Sequence, residues 1–206
     1  MNYIIVGLGN PGQEYEGTRH NTGRIAVDTF AKKVDINEWT EDKKIKSETA
    51  KGKVGKNTVL LIKPNTFMNK SGDALKFKVQ SLKSKEQIRK FAETLVVVHD
   101  DLDIPFGKMK MSFNKSSGGH RGVESIIKAI KTEAFIRLRI GISSSTASGK
   151  IKKPQGEEEV EKAILGKFKP NEQDTLKKIM KRASEGLEVL VLEGKDIATG
   201  KLNSGN

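Results

Sequence analysis

The 206-residue sequence contains no cysteine, few aromatic residues and no long apolar stretch. Without cysteine there is no disulfide, thiolate nucleophile, cysteine-based zinc site or iron–sulfur cluster, and a reducing compartment such as the cytoplasm is the expected location. The longest apolar runs, such as residues 95–98, have the length of a strand rather than of a membrane span, and no basic leader precedes the first of them. We therefore expect neither a membrane segment nor a signal peptide.

Positive charge is in excess, and it is unevenly distributed. The formal net charge is +12, and residues 43–90 alone carry 14 Lys and Arg against 3 Asp and Glu. A concentrated basic region attracts phosphates and is typical of proteins that bind nucleic acid or an anionic membrane. Charge alone does not separate this interpretation from a lysine-rich solvated surface.

Apolar patterns along the chain predict alternating strands and helices. Strands are predicted at residues 3–8, 58–62, 95–98 and 135–142, and helices at 25–34, 68–82, 123–130 and 176–190. This alternation, within a length that suits one compact domain, predicts an α/β sandwich. Residues 143–158 are rich in Ser, Gly and Lys without periodicity, which favours a mobile surface loop over a linker between domains.

The glycine run after the first predicted strand has the spacing of a dinucleotide-binding loop. Gly7, Gly9 and Gly12 satisfy G-x-G-x-x-G, but that motif also requires a helix to begin inside the loop and face the pyrophosphate. Pro11 interrupts the chain there, and helix signals begin only near residue 22. The alternative interpretation is a glycine-rich turn that presents Asn10.

Histidine and aspartate supply the candidate catalytic groups. The acidic segment 99–103 follows a predicted buried strand and is compatible with a Mg²⁺ or Mn²⁺ site, with a charged turn, or with one Asp that orients a distant histidine. His20 precedes the first helix, where an isolated histidine is more often a cap or a surface group. Because G-x-S-x-G, Walker A and His-x-x-x-His patterns are absent, a hydrolase built from this chain would use histidine as a base on water.

Two further segments are compatible with anion binding. Residues 116–122 are glycine-rich and open a predicted helix, so their backbone N–H groups and Arg121 suit a phosphate, although a flexible loop capped by Ser117 explains the pattern equally well. Lys110 and Arg139 lie in segments where cations occupy alternate positions, as do Lys108 and Arg137. Such pairs share a strand face and suit either a phosphate clamp or a solvated sheet edge.

Taken together, these segments resemble the bacterial peptidyl-tRNA hydrolase family. The matching segments in chain order are VGLGNPG at 6–12 with Tyr15, TRHN at 18–21, PNTFMNKSG at 64–72, HDDLD at 99–103 with Pro105 and Gly107, GGH at 118–120 with Gly122, and RLRIGI at 137–142. The resemblance implies a three-layer α/β/α sandwich around a mixed, mostly parallel twisted sheet. It also implies one domain over residues 1–193, with a mobile lid at about 143–158 and a C-terminal tail at 194–206.

The resemblance further implies an activity and its catalytic residues. The expected reaction is hydrolysis of the ester bond between a peptide and the 3′ end of tRNA, with His20 activating water and Asp100 holding His20 in its basic form. Asn10 and Asn69 supply amides that grip the peptide backbone, and Asn10 distinguishes blocked from free aminoacyl groups. No cofactor and no metal are implied. The expected partner is the acceptor stem and 3′ CCA end of peptidyl-tRNA, bound by a cytoplasmic monomer.

Binding residues follow from the same resemblance. Those implied to contact substrate or tRNA, or to support such contacts, are Tyr15 and Phe67 near the terminal adenosine, Asn21 as a partner of His20, His120, and Lys110 with Arg139 as a clamp for the tRNA 5′-phosphate. Arg121 departs from the family pattern, which usually has Asn there, and we expect Arg121 to turn toward phosphate or ribose. The alternative function is an RNA-binding homologue without hydrolase activity.

Overall fold

A seven-stranded sheet forms the centre of the computed structural model, which describes residues 1–146 and 150–204. The strands are β1 Asn2–Gly7, β2 Thr40–Asp42, β3 Ser47–Val54, β4 Asn57–Pro64, β5 Leu95–Pro105, β6 Met109–Phe113 and β7 Ile136–Ser143. Their spatial order is β2-β3-β4-β1-β5-β7-β6, and only β3 and β6 run against the others. The prediction of a mixed, mostly parallel sheet is confirmed.

Helices cover both faces of this sheet. The described residues form α1 Thr22–Lys33, α2 Asp73–Gln80, α3 Lys85–Glu93, α4 Arg121–Ile130, α5 Gly156–Leu165, α6 Gln173–Glu193 and α7 Lys195–Ser204. Buried side chains of α1, α6 and α7 pack on one face, and those of α2, α3 and α4 pack on the other. The predicted three-layer α/β/α architecture is therefore confirmed.

The central strands are apolar on both faces because helices cover both. In β1, Ile5 belongs to the core under α1 and α6, whereas Ile4 and Val6 belong to the core under α2 and α4. Such a strand shows a continuous apolar run instead of alternation. Because β1, β4, β5 and β7 are parallel, the loops that follow them meet at one edge of the sheet, where α/β proteins commonly place their sites.

Two glycines allow the first turn of α1 to approach the ends of β1 and β5. A Cβ on Gly23 would lie 2.2 Å from the carbonyl oxygen of Val98, and a Cβ on Gly7 would lie 2.6 Å from the carbonyl oxygen of Gly23. Both distances are shorter than the van der Waals contact between a Cβ and a carbonyl oxygen, so only glycine fits at these two positions. This close approach places the chain just before α1, which contains His20, directly above β5.

Several predicted boundaries differ from the structure. The strand predicted at 95–98 continues to Pro105, with a register shift between Asp101 and Pro105. The helix predicted from residue 68 begins at Asp73, after a 3₁₀ turn at Met68–Lys70. The predicted tail forms α7 over its described residues, and Asn203 bonds both backbone groups of Met111 in β6. The predicted tail is therefore helical over its described residues and packs against the sheet.

The segment predicted as a lid contains both loop and helix. Ser143 ends β7, Ser145 and Ile151 form an isolated bridge, and α5 begins at Gly156. Residues 147–149 lie outside the described residues, and the mobility of the segment stays a prediction. Among the described helices, none combines the length and the apolarity that a membrane span requires.

Candidate active site

His20 and Asp100 meet at the carboxyl end of the sheet. His20 lies on the 3₁₀ turn Arg19–Asn21 before α1, and Asp100 lies within β5. The Nδ1 atom of His20 is 3.0 Å from each carboxylate oxygen of Asp100, and both residues are buried. The sequence prediction that one Asp orients a distant histidine therefore matches the geometry.

A second histidine shares the same carboxylate. The Nε2 atom of His120 is 2.9 Å from Oδ1 of Asp100, and the rings of His20 and His120 have centroids 5.1 Å apart. The His120 ring also packs edge-on against the ring of buried His99, at 4.7 Å. The resemblance implies only a binding role for His120, and no sequence pattern indicates its bond to Asp100.

The backbone of α4 fixes the tautomer of His120. Nδ1 of His120 accepts hydrogen bonds from the backbone N–H groups of Gly122 and Val123, at 3.1 and 3.3 Å, and so carries no proton. The proton is therefore on Nε2, which donates to Asp100. His120, and not Ser117 as the flexible-loop alternative assumed, is the N-cap of α4.

The carboxylate in turn fixes the tautomer of His20. An ionised Asp100 accepts hydrogen bonds and donates none, so Nδ1 of His20 carries the proton and Nε2 has a free lone pair. Burial alone would raise the pKa of the Asp100 carboxyl, but electrostatic attraction and hydrogen bonds from His20 and His120 outweigh burial and hold that pKa well below its usual range. Asp100 is therefore ionised at neutral pH.

Asn10 is held rigidly by its neighbours. Its side-chain oxygen accepts from the backbone N–H of Met68 at 2.8 Å, which leaves the side-chain NH₂ group available to the pocket. The side chain of Asn21 accepts from the Asn10 backbone N–H at 2.8 Å and donates to its carbonyl at 2.9 Å. Asn21 thus positions Asn10: its side-chain bonds go to the Asn10 backbone and not to His20, with which the resemblance paired it.

An open cavity of about 480 Å³ lies over the two histidines and Asp100. It brings together most of the predicted site residues, and its lining includes Asn10, Tyr15, His20, Phe67, Asn69, Asp100, His120 and Arg121. The rings of Tyr15 and Phe67 meet edge-on at 6.3 Å, and Phe67 is 58% exposed although it is a large apolar side chain. An exposed aromatic wall of this kind suits a base or another flat ring.

Helix α5 forms one side of the cavity, and no sequence pattern indicates that its residues line the site. Apolar side chains of α5 line the wall, and the exposed Glu157 pairs with Arg121 at the start of α4. Lys153, just before α5, pairs with Asp103 at the end of β5. In this structure the counter-charge of Arg121 is Glu157, and its turn toward phosphate or ribose stays a prediction.

The predicted phosphate clamp lies on the strands at the other edge of the sheet. Lys110 in β6 and Arg139 in β7 are directly opposite in the antiparallel register, so they share a face. Lys110 is exposed, whereas Nε of Arg139 donates to the Asp101 carboxylate at 2.7 Å. Asp101 thus offsets part of the positive charge at this edge, which spacing alone did not reveal. Neither cation lines the cavity.

Arg19 anchors the turn that contains His20, a role that the sequence motifs do not indicate. Its guanidinium donates to both carboxylate oxygens of Glu172, at 2.8 and 2.7 Å, and lies 4.7 Å from the Phe168 ring centroid. A paired, stacked arginine of this kind is rigid. Its position next to His20 was the available signal, but its partners come from 150 residues further along the chain.

Metal and dinucleotide sites can be tested against the same geometry. Ligand atoms of His20, Asp100 and His120 lie within 4.8 Å of one another, close enough to hold an ion. The Nδ1–H of His20 and the Nε2–H of His120 account for this proximity, since both donate to the carboxylate.

After β1, the glycine loop leads to the 3₁₀ turn Gln13–Tyr15, and α1 begins only at Thr22. The loop therefore lacks the helix that a pyrophosphate site needs.

The fold and the site define an α/β protein whose pocket presents a carboxylate-held histidine, a suitable base for activating water. A family model described as peptidyl-tRNA hydrolase matches residues 4–206. The chain belongs to the peptidyl-tRNA hydrolase family.

Individual relatives agree with this assignment. A peptidyl-tRNA hydrolase of Aquifex aeolicus is 42% identical over 180 residues, which cover 87% of this chain and 85% of that protein. One from Dehalococcoides mccartyi is 40% identical over 205 residues, covering 98% and 99%. The crystal structure of peptidyl-tRNA hydrolase from Acinetobacter baumannii superposes with a TM-score of 0.83 at 31% identity, covering 98% of this chain and 94% of that one.

Proposed function

We propose that His20 is the base, and Asp100 its positioning group, in the reaction of this chain, which is hydrolysis of the ester bond between a peptide, or an N-blocked aminoacyl group, and the 3′ end of tRNA. The observation that carries the assignment is the bond from Nδ1 of His20 to buried Asp100. That bond leaves the Nε2 lone pair free at the cavity. No observation favours the alternative of RNA binding without hydrolysis.

The proposed steps follow from this tautomer. Water attacks the ester carbonyl carbon while Nε2 of His20 takes its proton, and Asp100 stabilises the resulting imidazolium. The tetrahedral intermediate then breaks its bond to the ribose oxygen, and His20 returns the proton to that oxygen. The NH₂ groups of Asn10 and Asn69 donate to carbonyl groups of the peptide, while Tyr15 and Phe67 face the terminal adenosine.

Isotope labelling tests this route directly. A single turnover of N-acetylated aminoacyl-tRNA in H₂¹⁸O should place one ¹⁸O in the released carboxylate and none in the tRNA 3′-hydroxyl. A heat-inactivated sample gives the background exchange. Label in the ribose hydroxyl would contradict attack by water on the carbonyl carbon, and an absence of product would favour the binding-only alternative.

Turnover should not depend on a metal ion. In the proposed reaction, His20 and Asp100 activate water without a Lewis acid, and both histidine protons are needed on Asp100. We expect the rate to be unchanged after dialysis against EDTA, measured on N-acetylated aminoacyl-tRNA with Mg²⁺-free buffer as control. Loss of activity that a stoichiometric divalent ion restores would overturn this prediction.

Asn10 should determine the preference for blocked substrates. An Asn10→Asp variant can keep the bond from Met68 N–H, but a carboxylate would attract the α-ammonium of an unblocked aminoacyl group. We expect the ratio of kcat/KM for N-acetylated over free aminoacyl-tRNA to narrow by about tenfold, the effect of roughly 1.4 kcal/mol. Asn37→Asp, at an exposed position outside the cavity, is the matched control. An unchanged ratio would remove Asn10 from this role.

Lys110 and Arg139 should bind the tRNA without affecting the chemical step. We expect the Lys110→Ala/Arg139→Ala double variant to raise KM for full-length substrate and to flatten its salt dependence, because fewer counterions are released on binding. A blocked aminoacyl-adenosine does not reach β6 and should be cleaved as by the parent. Equal impairment on both substrates would assign these residues to the active site or to the fold.

One tRNA molecule would occupy both the cavity and the proposed clamp. The clamp and the cavity would hold the acceptor stem and the CCA end of one tRNA, respectively. All of the proposed catalytic groups come from one chain, which supports a monomer as the working unit. We also propose that the protein acts in the cytoplasm, where its substrate is made.

A further inference from the structure

Arg137 is a buried arginine for which the proposed mechanism has no use. It lies in β7, is 2% exposed, and has no ion-pair partner within residues 1–146 and 150–204. Its Nη1 donates to the carbonyl oxygen of Ser116 at 2.8 Å, while Nε and Nη2 are buried without a hydrogen-bond partner. A buried charge with unsatisfied donors lowers the stability of the fold, so we looked for a function that depends on Arg137.

The bond to Ser116 holds the loop that leads into α4. Residues 114–119 connect β6 to His120, and Asn114, Gly118 and Gly119 adopt φ values of 51°, 61° and 81°. Within the described residues, no other hydrogen bond ties this loop to the sheet; the remaining bonds join its residues to one another or to His120. A glycine-rich loop without that tie would sample many backbone conformations.

His120 depends on the placement of this loop. Its ring must cap α4 through Nδ1 and reach Asp100 through Nε2 at the same time. A small displacement of the preceding residues would break the second bond and leave Asp100 with one donor. The orientation of the Asp100 carboxylate toward His20 would then be less defined, and shifts near 1 Å in catalytic geometry cost up to about 100-fold in rate.

We propose that Arg137 is a positioning residue for catalysis: it fixes the 114–119 loop so that His120 holds Asp100 against His20. This inference rests on the proposed roles of His20 and Asp100. The competing role is electrostatic, because Arg137 lies two residues from Arg139 on the same face of β7 and would then attract tRNA as part of the clamp.

Substrate dependence separates the two roles. Arg137→Met should lower kcat by roughly 10- to 100-fold on both N-acetylated aminoacyl-tRNA and blocked aminoacyl-adenosine, while KM for the tRNA substrate stays within about twofold. Arg137→Lys, which keeps the charge and one donor nitrogen, should recover part of the rate. Arg89→Met, an exposed position on α3, is the control for the same substitution elsewhere. An effect confined to KM for tRNA would overturn the proposal in favour of the clamp.

A double-mutant cycle tests whether Arg137 acts through His120. His120→Asn keeps a good helix cap but loses the bond to Asp100. If Arg137 works only through His120, the Arg137→Met/His120→Asn double variant should be no slower than His120→Asn. Multiplicative losses would overturn the inference. His20→Ala is measured in parallel. If that variant stayed active, the proposed function of His20 would be wrong, which is a different outcome from failure of the inference about Arg137.

A second variant covers the case in which Arg137→Met does not fold. Gly119→Ala leaves Arg137 intact but strains the loop at a positive φ with no side chain nearby to clash. It should reproduce the loss of kcat on both substrates and the same non-additivity with His120→Asn. A Gly119→Ala variant with parental kcat would contradict the dependence of catalysis on this loop.

Discussion

Replacing His20 by Ala should lower kcat by about 10²- to 10⁴-fold, the usual contribution of a general base. The structure gives the reason: Nε2 of His20 carries the free lone pair at the cavity, while the other two histidines are committed. His120 uses Nδ1 for the cap of α4, and His99 is buried with Nδ1 2.6 Å from the Asp100 carbonyl oxygen. His120 could act as base only by giving up its cap, and the buried ring of His99 does not reach the cavity.

Binding serves as the control for the His20 variant. The proposed tRNA contacts at Lys110 and Arg139 lie on β6 and β7, so the Kd for deacylated tRNA should change by less than about twofold. The experiment compares single-turnover rates with tRNA binding for the parent and for His20→Ala. Near-parental turnover would assign the base to another group, and a large loss of tRNA binding would place His20 in the tRNA site instead.

Replacing Asp100 by Asn should be nearly as damaging, on the order of 10³- to 10⁴-fold in kcat, because the wrong tautomer of His20 becomes favoured. The cap of α4 fixes the proton of His120 on Nε2, so the Asn carbonyl oxygen must turn to His120 to accept it. The Asn NH₂ group then faces Nδ1 of His20 and forces the proton onto Nε2. His20 would have no lone pair at the cavity.

The matched control for Asp100→Asn is Asp28→Asn. Asp28 also accepts a hydrogen bond from a basic residue, Lys63, but it lies outside the cavity, so we expect kcat of the Asp28→Asn variant to stay within about twofold of the parent. Thermal unfolding of both variants shows whether the fold persists. If Asp100→Asn kept parental kcat with an intact fold, the carboxylate would not be setting the tautomer of His20.

The sheet and the pairing of His20 with Asp100 were predictable because their signals are local or carried by motifs. Buried parallel strands are continuous apolar runs, as in β1 and the first half of β5. The pairing of His20 with Asp100 followed from the family resemblance. Helix α5 gave no such signal because none of its residues is buried, and α7 buries only Ala198 and Leu202.

The finer contacts of the site depend on tertiary placement. Asn21 precedes α1, and Asn is a residue type that often caps a helix. Both polar atoms of its side-chain amide instead bond the backbone of Asn10, because the glycine loop folds back over Asn21. Arg121 pairs with Glu157, 36 residues away. The capping role of His120 competes with a general preference for Ser or Thr at that position. Sequence patterns encode the types of these residues but not their partners.

Release of free tRNA from an N-acetylated aminoacyl-tRNA, with the unblocked aminoacyl-tRNA as control, tests hydrolysis by this protein most directly. We expect multiple turnovers on the blocked substrate, a much lower rate on the free one, and loss of turnover in His20→Ala. Tight tRNA binding without release, or release that persists undiminished in His20→Ala, would contradict hydrolysis by His20-activated water.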